Sequence, residues 1–329
     1  MLAVVARAKG GLENLALEER AEPAAPGSGE VLVEISAAGC NFADLIALQG
    51  FYQDQQEFPF VMGMEGAGTV VAVGADVAPA IVGSRVIVIS KGTFAQRVVV
   101  PVERIVPIPK GMDFETAAGF AIAYGTAHGA LAWEGRLQPG ERLLVLGAAG
   151  GVGLTAVEVG KAMGAEVIAC AGGEEKLAIA KKHGADYLID YRNEDLRPRL
   201  AEICNGGGPD VVFDPVGGDT FDPVLRQTPW GGRIVIIGFA GGGVPRIPAN
   251  LLLVKNVSAH GFNFGSWLRN RPAKVRESMK ILFGWWREEK IKPYVSARYD
   301  LADATAALTE LRDRKATGKV VLTTGKAGG

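Results

Sequence analysis

The feature that most constrains this chain is the run Leu143-Leu144-Val145-Leu146 leading straight into Gly147-Ala148-Ala149-Gly150-Gly151-Val152-Gly153. Consecutive apolar residues fit a strand buried on both faces, and residues 152–163 carry helical spacing. Strand, tight glycine turn and helix in that order give a glycine fingerprint its meaning: a site for the pyrophosphate of a dinucleotide. Gly150 lets the backbone approach the phosphates, Gly153 lets the helix pack closely on the strand, and the helix N-terminus offers free N–H groups to the anion. Ala149, Gly150, Gly151 and Val152 are therefore the expected phosphate contacts. Ala148 stands where the usual fingerprint has its first glycine, so the match is imperfect.

The pattern continues beyond this turn. Strands are expected at 143–146, 166–169, 187–189, 210–213, 233–237 and 257–260, with helices at 152–163, 175–183, 195–204 and 220–227. Six strands alternating with helices make a complete doubly wound, six-stranded parallel sheet of the Rossmann kind. Before it, strands at 31–35, 69–74, 85–90 and 95–100 lack long intervening helices, so the first third reads as a curled sheet or barrel. After it come helical stretches at 267–287 and 303–315 and a last strand at 319–322, a tail long enough to fold back on the N-terminal part.

The end of the second strand selects the cofactor. A site that prefers NAD carries an Asp or Glu there for the ribose 2′-OH. Here the positions read Ala169-Cys170-Ala171-Gly172-Gly173, with Lys176 on the next helix and Tyr191-Arg192 closing the third strand. No acid, a nearby cation and a phenol point to a 2′-phosphate, hence NADPH. Gly172, Lys176 and Tyr191 are the expected contacts, with Glu174 and Glu175 as possible opposing charges.

Charge excludes some partners. With 35 basic and 36 acidic residues the net charge is −1, which gives no electrostatic reason to expect nucleic acid or an anionic membrane. The uncharged stretch 116–133 reads as a buried helix at a domain junction rather than a membrane span. Three widely spaced cysteines, Cys40, Cys170 and Cys204, fit neither a disulfide framework nor a zinc knuckle. Reduced thiols in a cytoplasm, with no signal peptide, are expected.

Five motifs in order, Ala37-Ala38-Gly39-Cys40-Asn41-Phe42-Ala43-Asp44, Gly63-Met64-Glu65-Gly66-Ala67-Gly68, the turn at 147–153, Asp214-Pro215-Val216-Gly217-Gly218 and Gly318-Lys319-Val320-Val321-Leu322, resemble the zinc-independent quinone oxidoreductases (zeta-crystallin-like) of the medium-chain dehydrogenase/reductase superfamily. The likeness covers essentially the whole chain. It implies an α/β fold in which a GroES-like, β-rich catalytic domain (1–120 and 262–329) holds an inserted NADPH-binding Rossmann domain (121–261), with the nicotinamide in the cleft between them, and a homo-oligomer, commonly a dimer. It also implies catalytic roles for Asn41, Tyr52 and Thr126. Asn41 would lie near the nicotinamide ribose and substrate, Tyr52 would hydrogen-bond a substrate oxygen, and Thr126 would touch the nicotinamide. Gly238, Phe239, Phe262 and Lys319 complete the cofactor-side residues. The family often has Asn where this chain has Ala123.

Zinc-dependent relatives carry Cys where this chain has Asn41 and His where it has Met64, and a catalytic zinc needs three protein ligands. Asn and Met leave Glu65 without partner ligands, so no metal is expected. Without a Lewis acid, hydride transfer suits acceptors that are already electrophilic. The expected activity is NADPH-dependent reduction of quinones or other α,β-unsaturated carbonyls. One alternative is an enoyl-thioester reductase using Arg269, Arg271 and Lys274 as a basic rim for a CoA or carrier-bound acyl group. The other is a non-catalytic NADPH-binding protein.

Overall fold

The computed structural model describes residues 1–54 and 56–325. In chain order the strands are β1 (Leu2–Ala6), β2 (Leu15–Glu19), β3 (Glu30–Gly39), β4 (Phe60–Val61), β5 (Gly66–Val73), β6 (Arg85–Val88), β7 (Arg97–Pro101), β8 (Ile105–Pro107), β9 (Arg142–Leu146), β10 (Glu166–Ala171), β11 (Tyr187–Asp190), β12 (Val211–Asp214), β13 (Arg233–Ile236), β14 (Ser258–Gly261), β15 (Val295–Asp300) and β16 (Lys319–Thr323). The helices are α1 (Phe42–Leu48), α2 (Phe114–Ala118), α3 (Ala121–Gly129), α4 (Gly151–Ala162), α5 (Glu174–Lys182), α6 (Leu196–Ile203), α7 (Phe221–Gln227), α8 (Ala249–Lys255), α9 (Phe264–Asn270), α10 (Pro272–Arg287) and α11 (Ala304–Arg312). They fall into two compact units: Met1–Ile122 with Tyr294–Gly329, and Ala123–Pro293.

The first unit is β-rich. A sheet of order β15-β16-β3-β5-β6-β8, with β7 also on β3, stands beside the three-stranded β2-β1-β4. In β3, buried Val31, Val33, Ile35 and Ala37 alternate with half-buried residues, the period of a strand with one face on a core. The C-terminal β16 pairs antiparallel with β3, Val321 opposite Gly39 and Thr323 opposite Ala37. The tail thus completes a sheet begun some 280 residues earlier.

The second unit is the parallel sheet, in the order β11-β10-β9-β12-β13-β14. That is the 3-2-1-4-5-6 order of the dinucleotide-binding fold. Leu143, Leu144, Val145, Val211, Val212, Phe213, Ile234 and Val235 are wholly enclosed, as central parallel strands covered on both faces require. Within the α4 turn, a Cβ added to Gly153 would come 2.1 Å from the Gly147 carbonyl oxygen, so only glycine allows this helix to sit so close.

Several features depart from the sequence reading, among them the short strands β1, β2, β4, β8 and β15, and the break between α2 and α3 in the stretch read as one helix over 116–133. The helix expected at 267–287 is two, α9 and α10, because Pro272 disfavours helical geometry at Arg271, which adopts φ −139°, ψ 52°. Residues 262–293 belong to the second unit rather than to the returning tail. Phe264 and Met279 crowd against Gly125, and the Ser278 hydroxyl lies 2.9 Å from His128 Nδ1, which ties α9 and α10 to α3. Helix α8 carries exposed Leu253 and Val254 and so has no amphipathic signature of the usual sense. Among the described residues no helix is long and apolar enough to cross a membrane.

The glycines separate close approach from open space. Gly153→Ala is expected to destabilise by roughly 1–3 kcal/mol through overpacking. Gly284→Ala, in α10 with nothing near its Cβ position, is expected to stabilise by about 0.5–1 kcal/mol through helix propensity. Chemical denaturation of the two variants should move the midpoint in opposite directions.

Candidate functional site

In the second unit the chemistry gathers at the C-terminal ends of the parallel strands, where open α/β sheets bind ligands. Gly150 is the N-cap of α4, with Gly151 and Val152 in its first turn, and Ala149 is buried beneath them. A cradle of bare backbone at a helix N-terminus fits a pyrophosphate. The loop after β12 lies against this turn, since a Cβ at Gly147 would meet Val216 and Pro215. Asp214 shapes that loop: its Oδ1 accepts from the amides of Val216 (2.9 Å) and Gly217 (2.8 Å). Burial pushes the Asp214 carboxyl up, against the pull of those two amides. Gly238 and Phe239 follow β13 and reach the same loop, with the Phe239 ring beside Gly217.

At the end of β10, Gly172 is buried under two side chains of the β11–α6 turn. A Cβ there would lie 2.7 Å from Arg192 Nε and 2.8 Å from the Tyr191 hydroxyl. Gly173 has φ 95°, open to glycine alone. Lys176 is half-buried on the first turn of α5. A cation and a phenol over a backbone without side chains make a pocket suited to a phosphate monoester. The structure brings Arg192 into this group, though the sequence pattern assigned the contact only to Gly172, Lys176 and Tyr191.

In the first unit, Asn41 caps α1, and Asp44 Oδ2 accepts its backbone N–H at 2.8 Å. The Asn41 carboxamide Nδ2 donates to Gly39 O (3.2 Å) and Glu65 Oε1 (3.0 Å). Lys319, first residue of β16, sends its ammonium to Cys40 O, Asn41 Oδ1 and Glu65 Oε1, all at 2.9 Å. Glu65 Oε2 accepts from the Ile122 amide at 2.9 Å. Glu65, which the sequence leaves without partner ligands for a metal, is paired instead with a cation from the far end of the chain. Gly39 leaves room for this, since a Cβ there would stand 2.8 Å from Glu65 Oε1. Asp44 is buried against the same cluster. Burial raises its carboxyl to about 7, and its Oδ1 has no partner among the described residues.

A zinc ion does not fit this donor set. Asn41 Oδ1, Glu65 Oε1 and the Cys40 carbonyl already take the three protons of an ammonium, and among the described residues no three His, Cys, Asp or Glu side chains are placed to hold a metal ion.

Of the remaining expected residues, Tyr52 is half-buried on the loop after α1 and Thr126 is buried in α3. Phe262 is buried after β14, its ring stacked on Trp267 (18° between planes) and tilted on Trp133. Lys274, read as part of a basic rim, stands over the indoles of Trp133 and Trp267, 4.9 and 5.2 Å from their centroids. Beside Thr126, Tyr124 donates to buried Glu158, which also holds His183 Nδ1 (2.6 Å) and the Lys292 amide (3.0 Å).

Two family models match: the alcohol dehydrogenase GroES-like domain over residues 27–110 and the zinc-binding dehydrogenase domain over residues 151–283. A quinone oxidoreductase-like protein 2 homolog of Nematostella vectensis is 39% identical over 314 residues, covering 94% of this chain and 86% of that protein. The structure of Escherichia coli quinone oxidoreductase complexed with NADPH superposes with a TM-score of 0.92 at 31% identity, covering 98% of this chain and all of that one. A mycobacterial protein complexed with NADPH gives a TM-score of 0.92 at 33% identity with the same coverage.

Removing one partner of a buried pair strands the other. Lys319→Met is expected to destabilise by about 3–5 kcal/mol, and the double variant Lys319→Met/Glu65→Gln by clearly less, read from urea unfolding. Asp44 sets a pH dependence. Its folded value of about 7 lies above its ordinary 3.8, so its stabilising contribution is complete below the lower value and is lost as pH rises through the higher. The melting temperature of Asp44→Asn minus that of the unsubstituted protein should therefore grow between those limits and level off above them.

Proposed function

From the premise that the chain belongs to the quinone oxidoreductase (zeta-crystallin-like) family of the medium-chain dehydrogenases/reductases, we propose that it is an NADPH-dependent reductase of quinones or other conjugated carbonyls, working without a metal. The observation that carries this reading is the Lys319 ammonium among Asn41, Glu65 and the Cys40 carbonyl. The side chains that would have to receive a Lewis acid are saturated by a cation of the protein itself. A simple ketone would lack a strong polarising group, so the acceptor has to be electrophilic already.

NADPH, when bound, supplies a hydride from its nicotinamide ring. Gly150, Gly151, Val152 and the N-terminus of α4 would hold its pyrophosphate, with Gly238 and Phe239 on the adjoining loop. Gly172, Lys176, Tyr191 and Arg192 would hold the 2′-phosphate. Asn41 would act from a carboxamide whose two N–H groups and one lone pair are fixed by Gly39, Glu65 and Lys319. Thr126 would bound the nicotinamide side, and the Tyr52 hydroxyl would donate to the acceptor oxygen while solvent supplies the balancing proton. Lys319 would act through Asn41 rather than on the cofactor directly, because its three protons are engaged. The buried thiols of Cys40, Cys170 and Cys204 support a cytoplasmic location, and the family likeness supports a homodimer.

Loss of NADPH absorbance against benzoquinones, enones and crotonyl-CoA tests the reading. Turnover of a quinone or enone, undiminished by a chelator, is expected, with crotonyl-CoA poor. Arg192→Ala should raise KM for NADPH about tenfold and leave that for NADH nearly unchanged, as loss of one charge-assisted contact requires. Activity lost to a chelator and restored by zinc, or confined to the thioester, would sink the proposal.

A further inference from the structure

Asp190, the last residue of β11, makes no contact that the reaction needs, yet every polar atom it has is engaged. Its carboxylate Oδ1 accepts from the amides of Gly173 and Arg192, both at 3.0 Å, and Oδ2 accepts from Asn193 Nδ2 at 2.9 Å. Its own amide donates to Glu194 Oε1 (2.8 Å), and its carbonyl accepts from the amides of Asn193 (3.0 Å) and Glu194 (2.8 Å). One buried side chain thus ties the β10–α5 turn, where Gly172 and Gly173 present bare backbone, to the β11–α6 turn, which carries Tyr191 and Arg192.

We propose that Asp190 is a positioning residue for cofactor selectivity: it clamps the two turns at the separation at which Tyr191 and Arg192 close over Gly172 and admit a 2′-phosphate. An aspartate near a strand end in this region could instead accept the 2′-OH of NADH. That role is closed to it, because its oxygens face two backbone amides and Asn193. The same amides hold its carboxyl below the ordinary range. The negative charge is therefore a fixed internal acceptor rather than a group facing the ligand. Gly173 needs the clamp most, since its φ of 95° leaves the turn with many open conformations once the acceptor is gone.

This inference rests on NADPH being the preferred cofactor, and direct binding separates the two ideas. Kd values for NADPH, NADH, 2′,5′-ADP and 5′-ADP are measured by titration calorimetry on the full chain. If the unsubstituted protein binds NADPH no more tightly than NADH, the cofactor assignment and this proposal both fall. Where it does prefer NADPH, Asp190→Ala should weaken NADPH and 2′,5′-ADP about tenfold while shifting NADH and 5′-ADP less than about twofold, the scale of two lost hydrogen bonds acting on one subsite. Asp190→Asn keeps a carbonyl acceptor for both amides and should restore most of the preference. Equal weakening of both cofactors in Asp190→Ala, or no rescue by Asp190→Asn, would overturn the positioning role and leave the cofactor assignment standing. Should Asp190→Ala fail to fold, Asp190→Ser provides the same reading, because a single hydroxyl cannot serve both amides; an unchanged NADPH/NADH ratio there overturns the proposal.

Discussion

An ammonium group buried away from water must find an acceptor for each of its three protons, and Lys319 finds them in Cys40 O, Asn41 Oδ1 and Glu65 Oε1. Desolvating the two charges costs several kcal/mol per ion, which only close geometry and full hydrogen bonding offset. Several features of the first unit accord with that demand. A side chain at Gly39 would collide with the Ala118 carbonyl and with Glu65, β16 is held in register on β3, and the Asn41 amide has one orientation, with nitrogen toward Glu65 and oxygen toward Lys319. The residue that the family likeness sets beside the nicotinamide is thus braced from behind by a charge pair.

The second unit uses a related device at the ends of two strands that β10 and β9 separate in the sheet. Asp190 closes β11 and Asp214 closes β12, and each accepts two backbone amides from the turns beside it. Their environments diverge. Amide donors dominate at Asp190 and pull its carboxyl down, while burial dominates at Asp214 and pushes its carboxyl up, with Oδ2 unpaired among the described residues. Where a parallel sheet ends, the following turn leaves amide N–H groups that no strand can take. A carboxylate on the last strand residue satisfies them and fixes the turn, so that loop conformation at a ligand-binding edge becomes a property of the sheet.

Local patterns carried much of the fold into the sequence. The apolar run before Gly147, the six-strand rhythm and the glycine turn are short-range signals, and the strands lie within a few residues of their expected bounds. Less legible were features set by distant partners. Lys319 was recognisable as part of a motif, but its bond to Glu65 spans 254 residues, and no spacing rule reaches that far. The break at Pro272 was present as a residue and overridden by the amphipathic pattern on either side. Residues 262–293 looked like the beginning of the tail because helix periodicity does not say which core a helix packs on; Phe264 and Met279 decide it by filling the space left at Gly125. Arg192 and Asp190 sat beside an assigned residue, Tyr191, and only the turn geometry separates the one whose side chain covers Gly172 from the one whose carboxylate joins the two turns.

The split of the first unit around the second also fixes an order of events during synthesis. When a ribosome has made β3, Asn41 and Glu65, the lysine that neutralises Glu65 is still 254 residues away, so an incomplete first unit holds a carboxylate with no internal counter-ion and a β3 edge with no β16. The contiguous second unit, residues 123–293, emerges whole before that lysine does. It can fold first, as domains commonly do on a growing chain, and bring the last strand back to its partner. Truncation just short of β16 would therefore remove more than a strand. It would leave the first unit arrested with its charge unpaired and its sheet open, in a state prone to capture by chaperones or by other copies of itself.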